Sequence, residues 1–174
     1  MPISGLNHAV LYVRDARRTA DFYRTVLDFQ VVVEDEHGTY MFLRAPYSAN
    51  HHDIAFFSIG ADAAPSPAGR GAVGLYHIAW EVPTLDELAE ARRRLEAAGA
   101  LVGSSDHGVS KSLYAADPDG LEFEVMWLVP QGLWGDDETK AIVRPLDLRS
   151  ERRRYATVSA GPTKGVVLAP SPST

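Results

Sequence analysis

The sequence predicts an α+β fold built from two tandem βαβββ modules. Hydrophobic patterns in the order strand, helix and three strands occur twice, and the motif Gly-Leu-x-His occurs at residues 5–8 and again at 74–77, an offset of 69 positions (77 − 8 = 69). Two copies are too few for a solenoid, which needs about three repeats or more. We therefore expect two curved half-sheets that form a cupped eight-stranded mixed sheet around a cleft, with the helices outside.

Residues 1–60 are predicted to form the first module. Alternation over 6–13 is typical of a strand, and Asp15 then has the position of a helix N-cap. Apolar residues at helical spacing indicate a helix over 16–27. Strand-like runs follow the helix at about 29–35, 39–45 and 52–59. The first module is therefore βαβββ.

Residues 61–73 are rich in Ala, Pro and Gly without periodicity and are predicted to be a linker. The second module, residues 74–130, repeats the order of the first. A strand over 75–82 begins it, and Thr84 and Glu87 form a capping box that opens a helix ending at Gly99. Strands near 100–105, 110–116 and 121–128 complete the module.

Residues 131–174 are predicted to be an irregular tail. They contain the acidic run Asp136–Glu138, the basic run Arg152–Arg154 and an end rich in Pro, Ser and Gly. We expect this tail to lie on the domain or on a partner subunit, with its last ~10 residues disordered. The three arginines are interpreted as tail charges. Modules and tail together are expected to form a single structural domain.

The composition argues against several classes of function. A formal net charge of −6 and a pI near 5.5 argue against a nucleic-acid partner, which would favour a concentrated basic surface. No apolar run approaches the roughly 18 residues that span a bilayer, and the first residues lack a secretion-signal pattern. We therefore expect a soluble, cytoplasmic protein that does not enter membranes. Cysteine is absent, so a metal site must use nitrogen and oxygen ligands.

His8 and His77 occupy equivalent positions in the two modules, so a pseudo-twofold arrangement would place them face to face across the cleft. A single strand histidine is more often structural, and the repeat is what favours a metal role. Alternation along the last strand puts Glu124 on the face opposite Phe123. Glu122 and Glu124 could both face solvent, but a carboxylate buried in the cleft would need a cation.

Two imidazoles and one carboxylate leave open positions on a metal ion, as in the non-haem Fe(II) enzymes that activate oxygen. His8, His77 and Glu124 are therefore predicted to bind one divalent ion, Fe(II) first, with Mn(II) or another divalent metal as the alternative. Open coordination positions favour catalysis over a purely structural role for the ion.

Several motifs within residues 4–130 resemble the vicinal oxygen chelate superfamily, which includes glyoxalases, bleomycin-resistance proteins and dioxygenases. The two Gly-Leu-x-His motifs, Asp-Phe-Tyr-Arg-x-Val-Leu (21–27) and the Asp-Pro-Asp-Gly turn (117–120) mark the superfamily. The segments 52–56, 106–108 and 113–124 are similar to those of its type I extradiol ring-cleaving dioxygenases.

The resemblance implies roles for three further residues, His52, His107 and Tyr114. It implies that His107 and Tyr114 assist the deprotonation of a catechol, that His52 donates a proton, and that both atoms of O2 enter the ring beside the diol. It also implies a homodimer or higher homo-oligomer. Each residue also has a purely structural interpretation: His52 as half of a surface pair with His51, His107 as a turn cap, and Tyr114 as a core aromatic.

Alternative functions stay open. The position matched to Glu124 (124 − 69 = 55) holds Ala55, so the fourth ligand expected from a resemblance to glyoxalase I is missing. Fosfomycin-resistance enzymes also use three ligands, which keeps a metal-dependent lyase, isomerase or transferase as one alternative. A metal-free ligand-sequestering protein is another. The best-known extradiol enzymes carry an additional non-catalytic pair of modules, whereas this sequence has one pair.

Overall fold

The computed structural model describes residues 2–3, 5–69 and 71–158. Contacts within the chain define two compact units, unit 1 up to Ala64 and unit 2 from Pro65 onward. Each unit contains one four-stranded mixed sheet and a helix between its first and second strands. The predicted α+β fold of two βαβββ modules is therefore confirmed, with the eight strands divided into two sheets of four.

Unit 1 consists of β1 (Ala9–Val13), α1 (Ala16–Leu27), β2 (Gln30–Glu34), β3 (Tyr40–Arg44) and β4 (Ile54–Ser58). Its strand order is β1-β4-β3-β2, with β1 parallel to β4 and the other pairs antiparallel. The side chain of Asp15 accepts a hydrogen bond from the Arg18 N–H, which satisfies one free donor of the first helical turn. The predicted N-cap is thus confirmed.

The core of unit 1 lies between α1 and the sheet. Tyr23 on α1 is buried, and its ring centroid lies 5.2 Å from that of Phe56 on β4. Ile54 and Leu43 are also fully buried. Burial of such side chains is the main driving force that holds the helix on the sheet.

Unit 2 repeats this order with β5 (Ile78–Glu81), α2 (Leu85–Ala97), β6 (Leu101–Asp106), β7 (Ser110–Ala116) and β8 (Glu122–Leu128). Its strand order is β5-β8-β7-β6, which matches that of unit 1 strand for strand. Thr84 caps α2 by accepting from the Glu87 N–H at 3.1 Å. After the helix, Gly99 adopts φ +65°, a left-handed conformation that glycine adopts without a Cβ clash.

The predicted starts of the first strand in each module are too early. β1 begins at Ala9 and β5 at Ile78, where parallel pairing with β4 and β8 begins. His8 and His77 therefore each stand one residue before a strand, and their predicted equivalence in the two modules is confirmed. The residue after each histidine is already paired with a parallel strand, and this pairing fixes the backbone position from which each imidazole extends.

A tight turn at residues 117–120 connects β7 to β8. The carboxylate of Asp117 accepts from the backbone N–H groups of Asp119 and Leu121 at 2.8 and 2.9 Å. Gly120 adopts φ +80°, which favours glycine. Burial raises the pKa of Asp117 to about 6, although the two hydrogen bonds act in the opposite direction and lower it. The turn aligns Tyr114 with Glu124 across the two strands.

The prediction of an irregular C-terminal tail is wrong over part of its length. Short 3-10 helices span Gln131–Leu133 and Gly135–Thr139, and α3 spans Leu148–Arg154. Asp147 caps α3 by accepting from the Ser150 N–H, and Tyr155 behind the helix packs its ring 5.1 Å from that of Trp127. The run Arg152–Arg154 is therefore the last turn of a helix, where positive charge is favoured. The last ~10 residues, predicted disordered, lie outside the described residues.

A buried cation links α3 to the sheet of unit 2. The side chain of Lys111 on β7 is only 1% exposed, and its ammonium contacts the carboxylate of Asp106 and lies 3.2 Å from Glu151 Oε2 on α3. It also donates to the Gly108 carbonyl at 3.2 Å. Although burial opposes it, the bonds from Lys111 and the Gly108 N–H hold the pKa of Asp106 below its ordinary value. One ammonium thus offsets part of the negative charge of two carboxylates within unit 2.

Across residues 2–3, 5–69 and 71–158, no helix combines the length and apolar character that crossing a membrane requires.

We expect Lys111→Met to destabilise unit 2 strongly. The substitution keeps the apolar stem but leaves the carboxylates of Asp106 and Glu151 without their buried cation, a loss that typically costs about 3–5 kcal/mol. Chemical denaturation at pH 7 measures the change in the free energy of unfolding. Arg93→Ala removes an exposed arginine paired with Glu90 and should leave the midpoint nearly unchanged. Equal midpoints for the two variants would contradict this account of α3 docking.

Candidate functional site

Two of the predicted metal ligands meet in unit 2. His77 Nε2 lies 3.1 Å from Glu124 Oε2. Glu124 stands on the central strand β8, opposite Ala79 of β5, and is only 8% exposed. The alternative in which this carboxylate faces solvent is therefore wrong. A carboxylate held away from water requires a compensating charge or hydrogen bonds, and His77 is the nearest nitrogen donor that the contacts identify.

The separation of these two atoms suits two ligands of one metal ion. Nitrogen and oxygen ligands lie about 2.1 Å from a first-row divalent ion, so neighbouring ligands of an octahedral ion are about 3 Å apart. The atoms are also of the right kind, an imidazole nitrogen and a carboxylate oxygen. His77 Nδ1 is buried and has no hydrogen-bond partner among the described residues. His77 and Glu124 could thus hold a divalent cation jointly.

Tyr114 and His107 form a hydrogen-bonded pair beside these two residues. The Tyr114 hydroxyl lies 2.8 Å from His107 Nε2, and the Tyr114 ring centroid lies 5.8 Å from that of His77. Burial, followed by the negative charge of Glu124, raises the pKa of the Tyr114 hydroxyl. Tyr114 therefore keeps its proton at neutral pH. The polar atoms of these two side chains are thus directed at each other.

The other two predicted site residues meet in unit 1. The ring centroids of His8 and His52 are 4.5 Å apart, and His52 stacks on Phe42 at 4.8 Å. His51 Nδ1 lies 3.0 Å from His52 Nδ1. Burial, and then the neighbouring His8 and His51, lower the pKa of His52, so its imidazole is neutral at neutral pH. His52 pairs with His51 as in the surface alternative, but it also contacts a predicted ligand.

The structure therefore groups the predicted residues by unit. His8 and His52 lie together in unit 1, while His77, Glu124, Tyr114 and His107 lie together in unit 2. Within the part of the chain that the structure describes, no three or more His, Asp or Glu side chains are arranged to hold a metal ion. The three-ligand site stays a prediction, and the catalytic roles of His52, His107 and Tyr114 do so as well.

Sequence reasoning missed one group that touches this site. The backbone carbonyl of Ile142 lies 2.6 Å from His107 Nδ1, although the two residues are 35 positions apart. A backbone acceptor has no side-chain signature, and residues 131–174 were predicted to be irregular. The bridge between Asp106 and Arg144, which is visible only in the fold, helps to bring this carbonyl to the imidazole.

Comparison with known proteins identifies the family. The Glyoxalase/Bleomycin resistance protein/Dioxygenase superfamily matches residues 5–125, so the chain belongs to this superfamily. The solved structure of lactoylglutathione lyase from Agrobacterium tumefaciens is similar with a TM-score of 0.54 and 27% identity, covering 78% of this chain and 99% of that one. The expected resemblance to the superfamily is confirmed.

Curated relatives carry dioxygenase names. Catechol-2,3-dioxygenase of Bacillus subtilis is 31% identical over 132 residues, which are 76% of this chain and 44% of that protein. Biphenyl-2,3-diol 1,2-dioxygenase 2 of Rhodococcus globerulus is 36% identical over 114 residues, 65% of this chain and 57% of that protein. The chain thus spans about half the length of these two relatives.

We expect His52 to titrate below 6.5, the ordinary histidine value, because burial and two neighbouring imidazoles disfavour its charged form. His51→Ala removes one of these neighbouring imidazoles and should raise the midpoint of His52. An NMR titration of the imidazole carbon-bound protons measures both, with His37→Ala as a control at an exposed turn histidine. A His52 midpoint above 6.5, or one that falls in His51→Ala, would contradict the assignment.

Proposed function

We propose that this chain is an Fe(II)-dependent extradiol dioxygenase that cleaves a catecholic ring with insertion of both atoms of O2. The single observation that carries the proposal is the grouping in unit 2, where the His77–Glu124 pair adjoins the Tyr114–His107 pair. The dioxygenase names of the curated relatives support the same reaction class. His8, His77 and Glu124 are the proposed metal ligands.

The proposed chemistry divides between the metal and the side chains. Fe(II), when bound, supplies open coordination positions and the redox capacity that a reaction with O2 needs. A catechol must lose hydroxyl protons to bind through its oxygens, and the hydrogen-bonded Tyr114 oxygen and His107 ring are proposed to assist that loss. His52, neutral at neutral pH, can take up a proton at a ring nitrogen and deliver it in a later step.

A metal-dependent lyase or isomerase is the second candidate, favoured by the similarity to the lactoylglutathione lyase structure. Ala55 argues against the lyase or isomerase. This residue is buried on β4 and carries no donor atom where the repeat would otherwise supply a fourth ligand. Oxygen uptake with a catechol and a yellow ring-opened product would support the dioxygenase, whereas turnover of a thiohemiacetal by Zn- or Ni-loaded protein would support the lyase.

The remaining alternatives are also tested by direct measurement. Protein purified without air that holds far less than one equivalent of metal would favour a ligand-sequestering protein, which needs no metal triad. Light scattering tests the proposed homodimer or higher homo-oligomer.

We expect His77→Ala and Glu124→Ala each to weaken divalent-metal binding at least about 100-fold, because loss of a ligand should cost more than loss of an outer hydrogen bond to a ligand. Titration calorimetry with Mn(II) on the metal-free chain measures the affinity. Glu122→Ala is the matched control, since Glu122 lies two residues from Glu124 on the same strand. Unchanged affinity in Glu124→Ala, or equal loss in Glu122→Ala, would remove Glu124 from the proposed ligand set.

We expect Tyr114→Phe and His52→Ala to keep metal but to lower kcat by about 10²–10⁴-fold, the usual contribution of a positioned acid or base. Anaerobic reconstitution with Fe(II), followed by catechol and measurement of oxygen uptake, gives the rates. His37→Ala, an exposed histidine in unit 1, should leave the rate unchanged. Full activity in His52→Ala would show that this residue has no part in proton transfer.

A further inference from the structure

The C-terminal segment, which we define as Gln131–Tyr155, joins the edge of the unit 2 sheet beside His107. β6 is one of the two edge strands of this sheet, and its last residue, Asp106, forms an isolated antiparallel bridge with Arg144. The Asp106 N–H donates to the Arg144 carbonyl at 2.8 Å, and the Arg144 N–H donates back at 2.9 Å. This bridge sets the carbonyl of Ile142 against His107 Nδ1 at 2.6 Å.

The partners of the His107 ring determine which nitrogen carries the proton. A carbonyl oxygen can only accept a hydrogen bond, so Nδ1 must be the protonated nitrogen. In a neutral imidazole Nε2 then has a free lone pair, and it accepts the bond from the Tyr114 hydroxyl at 2.8 Å. The hydroxyl hydrogen of Tyr114 therefore points at His107, and a lone pair of its oxygen can accept from another donor.

We propose that the C-terminal segment positions the His107–Tyr114 pair, with the Ile142 carbonyl selecting the Nδ1–H tautomer of His107 and thereby making Tyr114 a hydrogen-bond acceptor for a substrate hydroxyl. The claim that Tyr114 accepts from a diol hydroxyl rests on the proposed function. The assignment of the His107 tautomer does not. Three hydrogen bonds then share one donor-to-acceptor direction, from the substrate towards the backbone. They are substrate O–H to Tyr114 oxygen, Tyr114 O–H to His107 Nε2, and His107 Nδ1–H to the Ile142 carbonyl.

Proton transfer along this chain is balanced. The substrate hydroxyl loses its proton to the Tyr114 oxygen as the Tyr114 proton passes to His107 Nε2. The tyrosine ends neutral, the substrate oxygen becomes an anion, and His107 becomes an imidazolium. Both N–H groups of that imidazolium already have acceptors, Tyr114 and Ile142, so its positive charge is hydrogen-bonded from the moment it forms.

Close packing holds the segment against the loop that follows β6. A Cβ added at Gly108 would come within 2.9 Å of Asp137 Oδ2 and 3.0 Å of Ile142 Cδ1, and Gly108 has φ +78°. Lys111 ties the same region to α3 through its contacts with Asp106 and Glu151. Anchors on both sides of residue 142 therefore fix the position of its carbonyl.

The test compares Arg144→Pro with Arg144→Ala in the full-length chain. Both variants lose the exposed ion pair between Arg144 and Asp137, but only proline removes the N–H that donates to the Asp106 carbonyl. Long-range proton–nitrogen NMR spectra of metal-free protein identify the His107 tautomer, with His107→Asn providing the assignment. We expect the Nδ1–H tautomer in the wild type and in Arg144→Ala, and a shift toward the Nε2–H tautomer in Arg144→Pro.

Steady-state rates provide the second measurement. We expect kcat to fall at least about 10-fold in Arg144→Pro with its metal content retained, and to change less than about 2-fold in Arg144→Ala. A wild-type chain with the Nε2–H tautomer would overturn the inference even if Arg144→Pro failed to fold. An Nδ1–H tautomer in a chain that consumes no oxygen with catechols would instead overturn the proposed function and leave the positioning of His107 intact.

Discussion

Unit 2 depends on the pairing of β8 with a strand on each side. β8 is parallel to β5 and antiparallel to β7, so Glu124 lies opposite Ala79 on one side and opposite Tyr114 on the other. Opposite residues of neighbouring strands place their side chains on the same face. His77, which leads into β5, reaches that face as well. A slip of one residue in either pairing would turn the carboxylate to the other face of the sheet and separate it from both neighbours.

The burial of the Glu124 carboxylate then controls the electrostatics around it. A carboxylate that is 8% exposed is stabilised by few water contacts, so nearby positive or hydrogen-bonding groups are favoured and a second negative charge is not. The raised pKa of Tyr114 follows from that same environment. The His77–Glu124 pair follows from this buried charge, and the protonated state of Tyr114 follows from its own burial first and from the Glu124 charge second.

Much of the fold was predictable because it depends on local patterns that occur twice in the sequence. The N-caps Asp15 and Thr84, both helices and the equivalence of His8 with His77 were read from spacing alone, and the structure confirms them. α3 was not predicted, because its stability comes from tertiary partners that no local pattern reveals. These are the buried ammonium of Lys111 and the ring of Trp127. The Ile142 carbonyl was unpredictable for the same reason.

The two units share the same strand order, and one matched position that differs in polarity bears on the site. In unit 2 that position is Glu124, whereas in unit 1 it is Ala55, whose neighbours across the sheet are Val10 and Phe42. Unit 1 keeps its histidines but not the acid. The asymmetry therefore gives His77 a buried carboxylate neighbour, whereas the matched strand position of unit 1 is apolar.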